Sequence, residues 1–386
     1  MIKNNRIFFV ATVDFAINAF LLNHLKTLSQ HFDIAVIVNT DDPDLLIKQG
    51  INVKVIPLNI SRNIHILSDI ACLIRLISIF IKYHPSAVHS ITPKAGLLAM
   101  LAAFFARVPF RVHTFTGQVW ATKIGLKRLV LKFFDMLIAR LTTFNIVDSP
   151  SQQQFLIDEK VLPKETSLVF GLGSVSGVDL EKFKPSKQVS NDVRRELSIP
   201  QDGIVFTYLG RLNKDKGVLD LANAFSLIEN KKAYLLIIGP DEGGFVDEIK
   251  KINAHKLDQI RFVGFTKISE RYLATSNVLC LPSYREGFGG VIIEAAAMGV
   301  PTIASNIYGI SDAVLNNQTG LLHPPADVSS ILFCLNIFLN DSRLVKKYGK
   351  AAKLRVINEF DASLITECWC QFYLEMMSCN HIDKHV

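Results

Sequence analysis

The chain has 386 residues, of which 49% are hydrophobic, and a formal net charge of +7; this length suits two α/β domains of about 150 to 200 residues better than one core. The beginning of the sequence lacks the features of a signal peptide, and the most apolar segments, at 70–81 and 96–106, are shorter than the roughly 20 residues that cross a bilayer, so we expect a cytoplasmic protein without a transmembrane helix. The six cysteines form no C-x-x-C pair, and we expect neither disulfides nor zinc.

Short apolar segments alternate with amphipathic segments up to about residue 325, a pattern typical of repeated βαβ units. The strands predicted in the first half are Arg6–Val10, Asp33–Val38, Val53–Pro57, Ala87–Ser90, Phe110–Phe115 and Asn145–Ser149. Those predicted in the second half are Ile204–Gly210, Ala233–Gly239, Gln259–Val263, Asn277–Leu281 and Thr302–Ser305, with helices after Asp215, Gly243, Ile268, Gly290 and Asp327. The alternation predicts two Rossmann-like domains with doubly wound parallel sheets.

A polar segment separates the two halves. Residues 182–192 are polar and include Pro185, which suits an exposed linker. We therefore predict an N-terminal domain over 1–185 and a C-terminal domain over 186–386. After about Asn340 the sequence is helical, and the final helix, at about 361–378, carries aromatic residues that need a surface to pack on, so we expect the last helices to pack back toward the first domain.

Basic residues are concentrated between Lys123 and Arg140. The basic positions 123, 127, 128 and 132 alternate with Leu and Phe at roughly helical spacing, as in a helix that lies on an anionic membrane. A domain helix that buries one face is the alternative interpretation. No nucleic-acid-binding motif accompanies the charge, and we expect no nucleic acid partner.

The segment Ser283–Pro301 predicts a strand end, a glycine loop and a helix. A helix that begins after such a loop binds a diphosphate well, because its free N–H groups and its dipole favour an anion. Glu286 in the loop and Glu294 in the helix flank this anion site, and we expect them to accept hydrogen bonds from sugar hydroxyls, Glu286 from a hexose and Glu294 from a ribose. A surface glutamate and a helix cap are the alternative.

A second group of residues follows the first strand of the second half, and ligands of doubly wound sheets bind beyond such strand ends. Arg211 can hold phosphate oxygens with its planar fork, and Lys216 can add a point charge. Together they would offset the charge of a leaving diphosphate without a metal. A solvated basic turn is the alternative.

Three patterns of the second half together resemble glycosyltransferase family 4, the retaining enzymes of GT-B fold: Gly210-Arg-Leu-x-x-x-Lys-Gly217, the two glutamates eight residues apart, and Asn317–Asp327. The resemblance implies two domains that face each other across a cleft, and a nucleotide-sugar donor. It implies catalytic roles for Glu286, Arg211 and Lys216. The residues that it implies for donor binding are Arg211, Lys216, Glu286, Phe288, Gly289, Gly290, Val291 and Glu294.

The first half resembles the transferases of bacterial O-antigen and capsule assembly, through His89–Gly96, His113–Ala121 and Gly173–Phe183. This implies a polyprenyl-diphosphate-linked acceptor and a peripheral position on the inner face of the cytoplasmic membrane. The predicted acceptor-binding residues are Thr92, Lys94, His113, Thr116 and Gly117, and His89 belongs to the same strand end. Many family members have histidine where Thr116 stands, and strand alternation predicts that His113 and Thr116 point to opposite faces.

Two possible metal sites are set aside. Asp42-Pro-Asp44 matches the D-x-D of metal-dependent transferases but lies where aspartate commonly caps a helix, and in the first half. His381 and His385 have metal-ligand spacing within a polar tail, for which we predict a frayed end. We therefore expect no metal and no other cofactor.

We predict a retaining, α-forming transferase that moves a sugar, an N-acetylated hexose, from a UDP-sugar to a polyprenyl-diphosphate-linked saccharide in O-antigen or capsule biosynthesis. Three alternatives remain open at this point. They are a UDP-amino-sugar epimerase of GT-B fold, a transferase that uses a GDP-sugar, and a sugar-nucleotide-binding subunit without activity.

Overall fold

Each half of the chain forms a parallel β-sheet with helices on both faces. The structure, a computed structural model, describes residues 5–61 and 65–379. The first unit comprises Met1–Ser176 and Ala362–Val386, and the second unit comprises Gly177–Asp361. The predicted fold class, two Rossmann-like domains as in GT-B enzymes, is thereby confirmed.

The first sheet has seven strands in the order β3-β2-β1-β4-β5-β6-β7. Its strands are β1 (Arg6–Ala11), β2 (Asp33–Val38), β3 (Lys54–Pro57), β4 (Ala87–Ile91), β5 (Phe110–Phe115), β6 (Phe144–Val147) and β7 (Ser167–Leu168). All its pairings are parallel, and Ile7 of β1 lies between Ile34 of β2 and Ala87 of β4. The chain reverses its direction of winding between β1 and β4, so the carboxyl ends of these two strands form the switch point where ligands bind in such sheets.

The second sheet has six strands in the order β10-β9-β8-β11-β12-β13. Its strands are β8 (Ile204–Leu209), β9 (Ala233–Ile238), β10 (Ile260–Gly264), β11 (Val278–Leu281), β12 (Thr302–Ser305) and β13 (Gly320–His323). The switch point of this sheet lies between β8 and β11. Ten of the eleven predicted strands agree closely with observed ones, and the sixth begins one residue earlier and ends two residues earlier than predicted.

The fifteen α-helices among the described residues alternate with these strands. They are α1 (Asp14–Phe20), α2 (Leu22–Leu28), α3 (Ile66–Tyr83), α4 (Pro93–Phe105), α5 (Gly125–Leu141), α6 (Pro150–Asp158), α7 (Lys187–Glu196), α8 (Val218–Ser226), α9 (Phe245–Ile252), α10 (Ser269–Leu273), α11 (Gly290–Ala297), α12 (Ile310–Ala313), α13 (Val328–Asn340), α14 (Ser342–Glu359) and α15 (Ala362–Cys379). In the first unit, α3, α4 and α5 share a core on one face of the sheet, and α1, α2 and α15 share a core on the other.

The last helix, α15, packs within the first unit, as its aromatic residues predict, whereas α13 and α14 belong to the second unit, contrary to the prediction for the last helices as a group. The indole ring of Trp369 is stacked between the imidazole rings of His24 and His89, at centroid distances of 4.5 and 4.9 Å. The Tyr373 hydroxyl lies 2.6 Å from His89 Nδ1. Stacked rings of this kind stabilise a contact by more than the burial of their apolar area alone. Packing and hydrogen bonds therefore both hold α15 to the sheet.

The region predicted as an exposed linker is partly helical. The first segment of the first unit ends at Ser176 rather than at 185, and Ala362–Val386, predicted in the C-terminal domain, belongs to the first unit as well. Helix α7 occupies the second half of the predicted linker. The Ser186 side chain accepts a hydrogen bond from the Val189 N–H and caps this helix, while Val193 is buried. The polar composition therefore reflects the solvent-facing side of an amphipathic helix.

Two strands were not predicted. β7 contains only two residues at the edge of the first sheet, too few for a periodic pattern. β13 begins at Gly320, where a Cβ atom would lie 2.2 Å from the Thr302 carbonyl oxygen, so glycine permits this strand to approach β12 closely.

The helices were compared with the length and apolar character that crossing a membrane requires. Within residues 5–61 and 65–379, no single helix is both long and apolar enough to cross a membrane. The pair α13 and α14, bent by 102°, meets that requirement by length and composition only.

Candidate active site

The two segments predicted to bind a donor follow β8 and β11, the strands at the switch point of the second sheet. Two glycines, one after β8 and one after β12, allow their loops to pack closely on the loop that follows β11. Gly217 has φ of 63°, and a Cβ atom there would lie 2.0 Å from the Pro282 carbonyl oxygen. Gly309 has φ of 81°, and its Cβ would lie 2.4 Å from the Gly287 carbonyl oxygen. Any other residue at these positions would force the loops apart.

Lys216 and Glu286 are directly paired across these loops. Lys216 Nζ donates to Glu286 Oε1, and both side chains are largely buried. Ser283 Oγ donates a second hydrogen bond, of 2.9 Å, to the same carboxylate oxygen. The structure thus brings together two of the three predicted catalytic residues, and Ser283 fixes the carboxylate between them.

Arg211 is held by a carboxylate that the sequence did not reveal. Its Nη1 donates to both oxygens of Glu242 at 3.0 Å, and Asn213 Nδ2 donates to Glu242 Oε2 at 2.7 Å. The Tyr208 hydroxyl donates to the Arg211 carbonyl oxygen at 2.7 Å, which fixes the backbone at this point. Arg211 remains about half exposed, so its guanidinium group is accessible to a ligand.

A third basic side chain, Arg285, joins the loop after β11 to the loop after β8. Arg285 Nε donates to Asp215 Oδ2 at 2.9 Å, and each of these side chains is about one-fifth exposed. The hydroxyl of Tyr284, the residue that precedes Arg285, donates a hydrogen bond of 2.5 Å to Asp220 Oδ2. Arg285 stands next to Glu286 in the sequence, so its place within the predicted loop was the signal that could have identified it.

Glu294 has different neighbours from Glu286. Burial raises the pKa of the Glu294 carboxyl to about 7; Lys182 opposes this shift and Glu270 adds to it. Lys182 Nζ itself lies 3.7 Å from Glu270 Oε2. A carboxyl of this pKa changes its charge near neutral pH, which makes it a candidate for a functional site.

The backbone of the loop between Glu286 and Glu294 is exposed to solvent at the beginning of α11. Gly289 precedes α11 with φ of 83°, and Gly290, the first residue of the helix, is exposed with no atom near its Cβ position. The Phe288 side chain is buried and packs on Phe360 at a centroid distance of 5.2 Å, and Val291 packs on the same core. The predicted donor contacts of Phe288 are therefore limited to its backbone.

Thr92 and Lys94 lie at the switch point of the first sheet. The Thr92 hydroxyl is 2.6 Å from that of Thr12, which follows β1, and Thr92 has φ of 79°, a strained value for a β-branched residue. Lys94 Nζ is 2.7 Å from Asp69 Oδ1 of α3. These two predicted acceptor residues thus lie beyond β4, where the sheet offers a ligand site.

His113 is buried, unlike the other four predicted acceptor-binding residues, which are partly exposed. Its Nδ1 lies 2.8 Å from Ser90 Oγ, and its ring fills the space above Gly96, where a Cβ atom would be 2.4 Å from the ring. Burial lowers the pKa of His113 to about 3, so the ring is neutral. Thr116 and Gly117 follow the strand and are partly exposed. The structure therefore separates His113, inside the core, from the more accessible threonine.

His89 and Thr114 face the opposite side of the sheet from His113. His89 Nε2 lies 2.7 Å from Thr114 Oγ1, next to α15. The ring of Phe115 contacts His113 at 4.6 Å. Residues 113 to 115 alternate between the two faces of the sheet, and the opposite orientation of His113 and Thr116 stays a prediction. His89, which we placed at the same strand end as the predicted acceptor-binding residues, is fully buried, because Trp369 and Tyr373 of α15 cover it.

Possible metal ligands are few. Among the side chains that the structure describes, no group of three His, Cys, Asp or Glu residues could hold a metal ion. The Asp42 carboxylate of the D-x-D sequence accepts hydrogen bonds from Lys48 Nζ at 2.7 and 2.8 Å and from the Asp44 N–H at 3.2 Å, so it stabilises a turn. His381 and His385 lie outside the described residues. Metal independence stays a prediction.

Comparison with known proteins assigns the class to which this fold and site belong. The family model for glycosyl transferases group 1 matches residues 189–355. The structure is similar to that of HepE from Anabaena in complex with UDP and glucose, with a TM-score of 0.80, 19% identity and coverage of 96% of this chain and 99% of that one. It is also similar to a sucrose-phosphate synthase from Thermosynechococcus elongatus, with a TM-score of 0.80, 21% identity and coverage of 97% and 100%.

Two relatives match over nearly their whole length. The capsular polysaccharide biosynthesis glycosyltransferase CapM of Staphylococcus aureus is 31% identical over 370 residues, which cover 95% of this chain and 96% of CapM. A UDP-Gal:α-D-GlcNAc-diphosphoundecaprenol α-1,3-galactosyltransferase of Escherichia coli is 28% identical, with 90% of both chains covered. The chain belongs to the group 1 glycosyltransferases, and it is an enzyme that transfers a sugar.

Proposed function

We propose that this glycosyltransferase moves a sugar from a UDP-sugar to a polyprenyl-diphosphate-linked saccharide during O-antigen or capsule biosynthesis. The observation that carries the proposal is the Lys216–Glu286 pair beside Arg211 at the switch point of the second sheet. Such a site offers cations for a diphosphate and a fixed carboxylate for sugar hydroxyls. The relatives support the process, since one is named for capsular polysaccharide and the other for a diphosphoundecaprenol acceptor.

The chemistry of transfer follows from the charges at this site. Arg211 binds the donor diphosphate with its planar fork, Lys216 and the exposed start of α11 at Gly290 add positive potential, and all three stabilise the leaving nucleoside diphosphate. Glu286, held by Ser283 and Lys216, orients the transferred sugar, and Glu294 accepts hydrogen bonds from the ribose. The acceptor hydroxyl attacks on the face that the diphosphate leaves, a diphosphate oxygen takes its proton, and the anomeric configuration is retained as an α-linkage.

The nucleotide of the proposed donor and its sugar rest on different support. UDP is supported by the UDP-Gal donor for which the Escherichia coli relative is named and by the UDP complex of HepE. An N-acetylated hexose as the transferred sugar rests on the family resemblance alone. A GDP-sugar donor, and an epimerase that converts a UDP-amino sugar without an acceptor, are the competing assignments.

The test is a transfer assay with a panel of donors. Purified protein would be incubated with UDP- and GDP-sugars, a polyprenyl-diphosphate-linked sugar and EDTA, and products followed by mass spectrometry. We expect the lipid to gain the mass of one sugar without added metal, and Glu286→Ala to lose this activity. Glu367→Ala, which removes an exposed carboxylate of α15, is the matched control and should keep it.

Each other outcome identifies an alternative. Turnover of a UDP-amino sugar that ignores the acceptor indicates the epimerase. Transfer from a GDP-sugar alone refutes the UDP part of the proposal. Tight nucleotide binding without turnover of any donor indicates a binding subunit, and loss of activity on addition of EDTA refutes metal independence.

A further inference from the structure

Helix α1 follows β1, one of the two strands at the switch point of the first sheet, and carries polar groups that the proposed mechanism does not use. Asp14 is its first residue, and Asn18 lies one turn later, so both side chains are on one face of the helix. Phe15 stands between them in the sequence and is 65% exposed. The beginning of α1 therefore lies at the edge of the sheet where ligands of such folds bind.

The Asp14 carboxylate is held in place but keeps free acceptor capacity. The hydroxyl of Thr40, which follows β2, donates to Asp14 Oδ2 at 3.0 Å. Asp14 Oδ1 is enclosed by neighbouring atoms and has no hydrogen-bond partner among the described residues. A carboxylate accepts about four hydrogen bonds, and an enclosed oxygen without a donor costs free energy that a donor from a ligand would recover. The residue as a whole is only partly buried, so a hydroxyl group can approach it.

The Asn18 amide is oriented by a similar contact. Gln49 Nε2 donates to the Leu45 carbonyl oxygen at 3.1 Å and to Asn18 Oδ1 at 3.0 Å. A carbonyl group can only accept, so Leu45 fixes the nitrogen side of Gln49, and Asn18 has to turn its oxygen toward that nitrogen. The two N–H groups of Asn18 therefore point away from Gln49. Asn18 is exposed, so these donors are available to a ligand.

The three groups on α1 match a neutral saccharide. A carboxylate accepts from one sugar hydroxyl while an amide one turn away donates to another, and an exposed aromatic ring offers an apolar face to the carbon atoms of the sugar ring. No cation among the described residues forms an ion pair with Asp14. Its negative charge is therefore not neutralised by the protein, and it disfavours a diphosphate or a uronic acid at this position.

We propose that Asp14, Phe15 and Asn18 form the subsite for the acceptor sugar, and that Asp14 makes this subsite select a neutral sugar over a uronic acid. The inference rests on the proposed function, because it assigns the residues that recognise the lipid-linked saccharide. Thr40 and Gln49 are positioning residues, since each fixes the orientation of a group that contacts the sugar. All five residues belong to the first unit. A donor sugar has the same chemistry, so the experiment has to separate donor from acceptor.

The test uses two acceptors that differ in one group. They are farnesyl-diphosphate-linked N-acetylglucosamine and the same compound with carbon 6 oxidised to a carboxylate. Binding of each would be measured by isothermal titration calorimetry with and without UDP, and transfer from the UDP-sugar panel by mass spectrometry, with a KM for each substrate. The variants are D14N, F15S, T40V and T40S. The matched controls are D158N, at the exposed last residue of α6, and F333S, whose side chain is 67% exposed on α13.

We expect the wild type to bind the neutral acceptor at least about fivefold more tightly than the oxidised one at low salt, and the difference to shrink at 0.5 M salt. D14N should bind the neutral acceptor about tenfold more weakly and should distinguish the two acceptors by less than about twofold. T40V should weaken binding less than D14N, and T40S, which keeps the hydroxyl, should restore it.

The remaining variants separate the sugar subsite from other effects. F15S should weaken both acceptors alike, by about three- to tenfold, whereas D158N and F333S should stay within about twofold of the wild type. The KM for the UDP-sugar should stay within about twofold in every variant. Circular dichroism and thermal unfolding would confirm that the variants are folded.

Four results would overturn the subsite. They are a wild-type protein that binds neither acceptor with or without UDP, equal affinity of the wild type for both acceptors, an equal loss in D14N and D158N, and variants that change the KM for the UDP-sugar instead of the acceptor. If acceptor binding follows the expectation but no sugar is transferred, the subsite stands and the proposed function fails. Transfer that none of the variants affects leaves the proposed function intact and removes the subsite.

Discussion

The pairing of Arg211 with Glu242 leads to a counterintuitive prediction for Glu242→Gln. A donor diphosphate that binds the Arg211 fork must compete with the carboxylate that now occupies Nη1. The carboxylate also repels the incoming phosphates. Glutamine keeps the shape and one hydrogen-bond acceptor but removes the charge, so we expect the variant to bind UDP more tightly than the wild type.

The magnitude follows from the exposure of the pair. Arg211 and Glu242 side chains are 44% and 34% exposed, so solvent screens their attraction strongly. Exposed ion pairs contribute about 0.2 to 1 kcal/mol, which corresponds to at most about a fivefold change in affinity. We therefore expect the Kd for UDP to fall about two- to fivefold at low salt, and the gain to shrink at 0.5 M salt.

Isothermal titration calorimetry with UDP measures this directly. Glu248→Gln, which neutralises an exposed carboxylate of α9 in the same unit, is the matched control and should change the Kd little. The gain should also become smaller when Arg211 is replaced by glutamine. Weaker UDP binding by Glu242→Gln would refute the reasoning, because it would mean that Glu242 orients Arg211 for the donor instead of competing for it.

Three further predictions concern single residues. Ser283→Ala removes the 2.9 Å hydrogen bond to Glu286 and should lower kcat about three- to tenfold while the Kd for UDP stays within about twofold; an unchanged kcat would show that Lys216 alone fixes the carboxylate. The pKa of Glu294, raised to about 7 by burial, predicts that UDP affinity increases between pH 6 and 8 as the carboxylate forms and accepts ribose hydrogen bonds, and that Glu294→Gln removes this dependence; the same slope in the variant would assign the titration to another group. Burial lowers the pKa of His24 to about 4, so the unfolded chain binds more protons than the folded one between pH 6.5 and 4. The contribution of neutral His24 to the free energy of unfolding should be fully present above pH 6.5 and should fall by roughly 3 kcal/mol as the pH drops to about 4. Urea unfolding at several pH values should show a smaller loss of stability in His24→Gln.

The strands that carry the site could be predicted because their signals are local. β8 and β11 are short apolar runs followed at once by Gly210 and by the glycine loop that contains Glu286. A parallel sheet then places both loops at one edge, whatever the details of packing. Lys216 and Glu286 could therefore be assigned to one site from the sequence, although 70 positions separate them.

The neighbours of these residues depend on contacts between loops and could not be predicted. Glu242 follows β9, and its position beside Arg211 requires Gly239, where a Cβ atom would lie 1.9 Å from the Gly210 carbonyl oxygen. Nothing in the sequence around Glu242 distinguishes it from Asp241, the other acidic residue of that loop. The burial of His89 is likewise set by α15, which is more than 270 residues away along the chain.

The three ion pairs of the site differ in what a donor would do to them. Arg211, Lys216 and Arg285 each have a carboxylate partner, namely Glu242, Glu286 and Asp215. The Arg211–Glu242 pair is the most exposed, and Glu242 has no assigned contact with the donor. A diphosphate therefore displaces Glu242 from Arg211 at the lowest cost in free energy. In the second pair both groups are largely buried, and separating them would leave a charge without its partner, which costs more than an exposed pair gains. The donor therefore has to bind Lys216 and Glu286 as a unit, with phosphate on the cation and sugar hydroxyls on the anion, and this requirement selects ligands in which the two are joined.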